Sequence, residues 1–448
     1  MMNITVAGIG YVGLVASACF AEVGHKVISV DIDNSKIEKL KNGIMPIYEP
    51  NLKELISSNY NANRLEFTTD FVNAYRNSEV VVIGVGTPSM PDGSANLDYV
   101  YEAARQIALN CKRDCVVLVK STVPIGTNDK IEEIINNNLQ NDINIEVVSN
   151  PEFLSQGSAI NDMINGSRII VGTNSDKAMA VIREIYRDFT APIVQVSRRS
   201  AEMIKYAAND FLALKISYIN EIANLCDLYE ADIEQVTKGM SYDERIGKFF
   251  LNAGVGFGGS CLPKDTQALI HMAQDKKYHL RTVRAAYIVN SNQKTQLYRK
   301  ALKRLEDFSN KKVAVLGLTF KEGTDDIREA PAIDNVKLLL ESGAHIYAFD
   351  PVGIDNFKNY VELNITNQEK NNIPIGIIEY TEDYRKALED ADICFVFTNW
   401  GIIQQIKPSE YVEYMKTPLV YDGRNIYNYI DMKNAKVEYY SVGRNNSI

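Results

Sequence analysis

The sequence predicts an α/β protein: two doubly wound parallel-sheet domains joined by a long central helix and a helical middle region. Three observations predict it. From Asn3 to Ser149, short apolar strands alternate with helices, and the strands close in glycine-rich or polar turns. A second alternation of the same kind runs from Lys312 to Tyr421. Between them, Arg198 to Glu230 is helix-prone and free of glycine and proline. The expected domains are residues 1–197, a central helical domain at 198–300, and a second α/β domain at 301–448.

The first strand is Asn3 to Ala7. Gly8-Ile9-Gly10-Tyr11-Val12-Gly13 follows at once, and Leu14 to Val23 reads as a helix. A second strand, Lys26 to Val30, ends at Asp31, with Asp33 two positions on. A strand, a G-x-G-x-x-G turn, a helix, a strand and an acid about 20 residues later make the full dinucleotide fingerprint of a Rossmann-like domain. The glycines let a pyrophosphate approach the helix N-terminus. Asp31 suits ribose hydroxyls and repels the extra phosphate of NADP, which favours NAD. The bland alternative is a glycine turn that only packs a helix.

Further strands at Val80 to Val85, Cys115 to Val119 and Ile145 to Ser149 end in polar clusters. These are Gly86-Thr87-Pro88, Lys120 to Thr127 with Thr122, and Asn150-Pro151-Glu152-Phe153-Leu154. Ligands of a parallel sheet sit beyond the carboxyl ends of its strands. Thr122 also reads as a turn or capping hydroxyl, and Glu152 as a capping carboxylate.

In the central stretch, Ile204, Ala208, Phe211, Leu212, Ile216, Ile219 and Ile222 recur at helical spacing. Lys205 and Asn209 share a face and suit a developing oxyanion, although periodicity alone favours a solvated face. So long a helix is also a natural surface for a homodimer. The loop Gly254-Val255-Gly256-Phe257-Gly258-Gly259-Ser260-Cys261-Leu262-Pro263-Lys264-Asp265 follows. If Asp265 opens a helix, the cysteine lies near a helix N-terminus and a cation, both of which favour a reactive thiolate. Asp265 suits a base. The alternative is an inert cysteine in a glycine turn. Helix continues from Thr266 to about Asn292.

A linker near Glu306 to Asn310 leads to strands at Lys312 to Leu316, His345 to Phe349, Ile393 to Phe397 and Leu419 to Tyr421, with a helix at Ala332 to Ser342. The loops of this half carry Phe320, Lys321, Arg328 and Arg424. The cations suit phosphate, or are ordinary solvated charges; Phe320 stacks on a base or packs in the core. The polar, Asn-rich segment Asn359 to Ile375 reads as a surface excursion.

At 448 residues and a net charge of -9, the chain is an ordinary soluble composition and a poor nucleic-acid binder. Six scattered cysteines complete no zinc pattern, so no metal is expected. No apolar run reaches the roughly 18 residues of a membrane span and no signal peptide opens the chain, which points to the cytoplasm.

Taken together, the fingerprint, Asn150-Pro151-Glu152-Phe153-Leu154, the cysteine loop and Asp422-Gly423-Arg424 closely resemble the nucleotide-sugar 6-dehydrogenases of the UDP-glucose/GDP-mannose dehydrogenase family, over nearly the whole chain. The resemblance implies four-electron oxidation of UDP-glucose to UDP-glucuronate with two NAD. It implies that residues 1–197 bind NAD and 301–448 the UDP-sugar. Cys261 resembles the nucleophile, Asp265 with Thr122 the base network, Lys205 and Asn209 the oxyanion pair, and Glu152 the residue that assists thioester hydrolysis. For the cofactor it implies Gly8, Gly10, Tyr11, Val12, Gly13, Asp31, Lys36, Thr87, Thr122 and Arg328. For the substrate it implies Glu152, Phe153, Leu154, Lys205, Asn209, Phe249, Gly258, Lys264, Phe320, Lys321 and Arg424. One position departs: the family usually has glutamate where this chain has Gln156, and an amide cannot act as a base. The alternatives are the same chemistry on GDP-mannose or a UDP-N-acetylhexosamine, and a non-catalytic nucleotide-sugar binder.

Overall fold

The structure is a computed structural model that describes residues 1–365 and 376–444. The chain divides into two compact units, Met1–Ala208 with His271–Lys276, and Asn209–Ile270 with Lys277–Ile448. Each is built on one α/β sheet, and a long helix, Arg198–Tyr229, follows the first sheet in sequence and carries the chain from the first unit into the second.

The first unit holds eight strands: β1 (Asn3–Ala7), β2 (Lys26–Val30), β3 (Leu65–Thr68), β4 (Val80–Ile83), β5 (Cys115–Val119), β6 (Ile145–Ser149), β7 (Ile169–Gly172) and β8 (Ile193–Val196). They lie in the order β3-β2-β1-β4-β5-β6-β7-β8, parallel except for the β6–β7 pair. β4 and β5 are buried along their whole length, as sequences of continuous Val, Ile and Leu require of a sheet covered on both faces. The strand order reverses between β1 and β4, so the turns after them flank the crevice where ligands bind in such sheets.

The expected strands stand with small changes at their ends. β4 stops at Ile83, and Gly84 after it lies against the fingerprint: a Cβ there would lie 3.1 Å from Gly13 Cα. The first helix starts at Tyr11, three residues earlier than its apolar run suggests, because Gly10 is its N-cap. β3, β7 and β8 escaped the sequence reading. β3 and β8 end the sheet and are partly exposed; β7 is a buried strand of four residues, as β4 is, and its length does not explain the miss.

The second unit carries β9 (Lys312–Leu316), β10 (His345–Phe349), β11 (Ile377–Thr381), β12 (Ile393–Val396), β13 (Leu419–Asp422) and β14 (Glu438–Tyr440), all parallel, in the order β11-β10-β9-β12-β13-β14. This repeats the order of six of the eight strands of the first sheet, β3-β2-β1-β4-β5-β6. The unexpected strands, β11 and β14, are again its edges. The helical stretch after Cys261 is broken into Leu262–Asp275 and Arg281–Gln293. Asn359 to Asn364, expected as part of a surface excursion, instead forms the end of the helix Ile354–Asn364, where Val361 is buried; residues 366–375 of that segment lie outside the described residues. Among the described residues, no helix is long and apolar enough to cross a membrane.

The long helix spans about 48 Å at 1.5 Å per residue. Its burial runs against expectation. Glu202, Lys205, Asn209, Asp210, Ser217 and Asn220 are buried. Phe211, which the apolar periodicity assigns to the core, is 61% exposed, with Tyr218 at 51% and Leu225 at 46%. The helix puts polar side chains inward because they have partners there. In the first unit, Glu202 accepts from the amides of Gly126 and Asn128 at 2.6 and 2.8 Å. In the second, Ser217 donates to the Ala286 carbonyl at 2.7 Å, and Asn220 accepts from the Gly254 amide at 2.8 Å.

Candidate active-site residues

In the first unit, the fingerprint turn has room on one side only. A Cβ at Gly13 would stand 1.9 Å from the Gly8 carbonyl oxygen, and one at Gly8 would stand 2.9 Å from Val85. One at Gly10 would meet nothing within 4 Å. The open face therefore lies at Gly10, the N-cap of the helix Tyr11–Glu22, where unpaired amides favour an anion. Asp31 is half-buried beside it and accepts from the amides of Ile9 (2.7 Å) and Asp33 (3.0 Å). Its remaining lone pairs suit ribose hydroxyls. These residues fit a dinucleotide. Val12 lies in the helix's first turn. Lys36, five residues after Asp31, pairs with Asp33 at 3.8 Å. Thr87 and Thr122 are brought together: the Thr87 hydroxyl donates to the Thr122 carbonyl at 2.9 Å.

Glu152 and Lys205 form a buried ion pair at 2.9 Å, with Lys205 Nζ also donating to the Glu152 carbonyl at 2.7 Å. Burial works to raise the Glu152 pKa, but Lys205, the Leu154 amide at 2.6 Å and Lys120 outweigh it, and the carboxyl stays below its ordinary value. The Phe153 ring lies under two cations, with Arg168 at 4.0 Å and Lys205 Nζ at 5.3 Å from its centre.

Two residues of this unit were not singled out from sequence. Glu49 accepts from the Tyr11 hydroxyl, the Gly157 amide at 2.7 Å and the Ala159 amide at 2.8 Å. It ties the fingerprint to the loop that carries Glu152. Its loop partners are 108 and 110 residues away, so no local pattern marks it. Lys120 donates to Asn150 Oδ1 at 2.9 Å, and burial pushes its pKa down to about 8.

In the second unit, the helix opens at Leu262, not at Asp265, so Cys261 stands directly at its N-terminus. The Cys261 carbonyl accepts the Asp265 amide at 2.8 Å, as an N-cap residue's does. Asp265 is 1% exposed. One of its oxygens accepts from Asn209 Nδ2 at 2.7 Å and the other from Lys264 Nζ at 2.6 Å. Ser260 Oγ lies 3.6 Å from the Cys261 sulfur. Arg328 is close enough to Cys261 for its charge to be felt there. That guanidinium is clamped by both Asp326 oxygens, at 2.8 and 2.6 Å.

The glycines before Cys261 have no spare room. A Cβ at Gly254 would lie 2.7 Å from the Gly423 carbonyl oxygen, at Gly256 2.7 Å from Asn290, and at Gly258 2.3 Å from the Glu329 carbonyl oxygen. At Gly259, where φ is +87°, it would lie 2.8 Å from the Phe320 ring. Phe320 therefore rests on the loop, with Lys321 Nζ 5.7 Å from its ring centre. Arg424 donates to the carbonyls of Phe397 (2.7 Å), Phe320 (2.9 Å) and Gly256 (3.3 Å), which straps the loop to β12 and β13. Burial pushes its pKa down to about 10. Phe249 is 70% exposed, on a loop of its own.

The chain matches three family models in succession. Residues 2–190 match the NAD binding domain of the UDP-glucose/GDP-mannose dehydrogenase family, 199–292 its central domain and 314–429 its UDP binding domain. The chain belongs to the UDP-glucose/GDP-mannose dehydrogenase family. As a member it is an NAD-dependent oxidoreductase. It is 45% identical to a Bacillus subtilis UDP-glucose 6-dehydrogenase over 99% of this chain and 98% of the relative. It is 43% identical to a Rhizobium meliloti UDP-glucose 6-dehydrogenase over 99% of this chain and all of that one. Among solved structures, a UDP-glucose dehydrogenase from Pyrobaculum islandicum superposes with a TM-score of 0.89 at 33% identity, covering 99% of this chain and 98% of that one. The fold and the family expected from the motifs are thus those found.

Proposed function

We propose that this family member oxidises UDP-glucose to UDP-glucuronate in two steps through a covalent adduct on Cys261. The observation that carries it is the cluster at one helix start: Cys261 at the N-terminus, with Asp265 four residues on, held by Asn209 and Lys264. Curated relatives at 43–45% identity that carry the UDP-glucose 6-dehydrogenase name support the sugar.

Bound NAD supplies the hydride acceptor, once per step. The Gly8–Gly13 turn and Asp31 would hold its pyrophosphate and ribose. Asp265, through a water and with Thr122, takes the proton of the C6 hydroxyl as that carbon loses its first hydride. The Cys261 sulfur then adds to the aldehyde carbon and leaves an oxyanion. Lys205 and Asn209 stabilise that oxyanion with donors of the kind that each contribute a few kcal/mol. Loss of the second hydride leaves a thioester. Glu152 orients the water that adds to it; the C–S bond breaks, and the carboxylate and thiol are released. Phe153, Leu154, Gly258, Lys264, Phe320, Lys321, Arg424 and Phe249 belong to sugar-nucleotide binding in this reading, and Lys36, Thr87 and Arg328 to the cofactor. In this reading residues 1–197 bind NAD, 198–300 form the central helical domain and 301–448 bind the UDP-sugar, and the protein works in the cytoplasm.

The test is NADH yield and product mass over UDP-glucose, GDP-mannose and UDP-N-acetylmannosamine. Two NADH form per UDP-glucose, with a product acid, and UDP-glucose is used fastest. One NADH per sugar would contradict the four-electron scheme; a faster alternative sugar would overturn the substrate.

We also assign a homodimer to the long helix. Phe211, Tyr218 and Leu225 are exposed at seven-residue spacing, a stripe that a second copy of the same helix covers. Phe211→Arg with Tyr218→Arg gives a monomer by light scattering. An unchanged mass places the contact elsewhere.

A further inference from the structure

One buried acid has no task in the reaction. Asp210 follows Asn209 in the long helix and is 3% exposed, and neither of its carboxyl oxygens has a hydrogen-bond partner. A carboxylate in such a place is costly; a neutral carboxylic acid is far less so. The hydroxyl beside it is that of Thr266, on the helix that starts after Cys261. Thr266 spends its hydrogen on the Leu262 carbonyl at 2.6 Å. It therefore offers Asp210 only lone pairs. An ionised Asp210 has nothing to give them, whereas a protonated one has a hydrogen. The charged group that faces it is Asp265, whose two oxygens are held by Asn209 and Lys264. Burial raises the Asp210 pKa to about 7; the neighbouring Thr266 hydroxyl works against that rise and the Asp265 charge adds to it.

We propose that Asp210 is a positioning residue: as a neutral acid it donates to Thr266, steadies the first turns of the Cys261 helix, and leaves the cluster's negative charge on Asp265. When Asp210 ionises it adds a like charge beside Asp265, which disfavours both a thiolate and an oxyanion nearby. The native state holds this proton more tightly than the unfolded chain does. The stability it contributes is therefore complete below the ordinary carboxylate range and is lost as pH rises through about 7.

Asp210→Asn keeps the shape and a donor without the charge. Melting temperatures of both proteins are measured from pH 5 to pH 8. The variant gains on the wild type by about 2 °C or more across that range. Its kcat relative to wild type rises by about threefold or more over the same range. A melting difference that is flat with pH overturns the neutral acid; a flat kcat ratio overturns the positioning role. The rate arm rests on the proposed reaction, but the melting arm needs no substrate, so the two fail separately. Should Asp210→Asn not fold, Thr266→Val removes the acceptor instead. It costs more stability at pH 5 than at pH 8, and an equal cost at both overturns the proposal.

Discussion

Replacing Cys261 with alanine lowers NADH production from UDP-glucose by more than about a thousandfold, as loss of a nucleophile does in other covalent enzymes. The reason lies in the second oxidation. A free aldehyde is a poor hydride donor, and the sulfur converts it into a tetrahedral adduct that is a good one. Cys261→Ser places a weaker nucleophile at the same helix start and forms an oxygen ester that hydrolyses slowly. It gives at most a small burst of NADH followed by a stall. NAD affinity, measured by calorimetry, stays within about twofold for both variants, since the fingerprint turn is untouched. Turnover of either variant within tenfold of wild type would rule out the covalent route.

The second large effect is expected at Lys205. The residue is 3% exposed, and its ammonium pairs with Glu152, which is 6% exposed. Lys205→Ala removes an oxyanion donor, for a loss of about a hundredfold or more in kcat. It also leaves the Glu152 carboxylate buried without its cation, for about 3–5 kcal/mol of stability. The two losses separate in a double variant. Lys205→Ala with Glu152→Gln has no stranded charge, so urea unfolding shows much of the stability restored while kcat stays low. Glu152 has a lowered pKa in the wild type, so the stability it contributes is present above the ordinary carboxylate pKa and is lost as pH falls through its folded value. In Lys205→Ala burial acts on the carboxyl without that cation. The gap in stability between variant and wild type is therefore widest at neutral pH and narrows as the medium becomes acid. A gap that does not change with pH would show that Lys205 acts through packing alone.

Both sheets were legible because interior parallel strands are runs of Val, Ile and Leu that end in glycine or polar turns. β4 and β9 are such strands. Edge strands lack that signal, and β3, β8, β11 and β14 were missed for that reason. The fingerprint was legible because its chemistry is local: Gly8, Gly10, Gly13 and Asp31 lie within 24 residues. The long helix was legible in length but not in orientation. Periodicity put Phe211 in the core and favoured solvent for Lys205 and Asn209. What reverses it is partners that arrive from distant sequence, Glu152 for Lys205 and Asp265 for Asn209. Glu49 and Asp210 were invisible for the same reason, since each is defined by what the fold sets beside it.

The loop that delivers Cys261 is a mould cast without clearance. Each of Gly254, Gly256, Gly258 and Gly259 abuts something that a methyl group would strike, mostly another carbonyl or a ring. The placement of the sulfur is therefore inherited from the main chain and cannot be tuned by choosing larger side chains along the loop. A mutational library across these positions returns little but the starting sequence. Retargeting of this scaffold to new sugars must enter through the walls that hold the mould, such as Phe320 and the strap formed by Arg424.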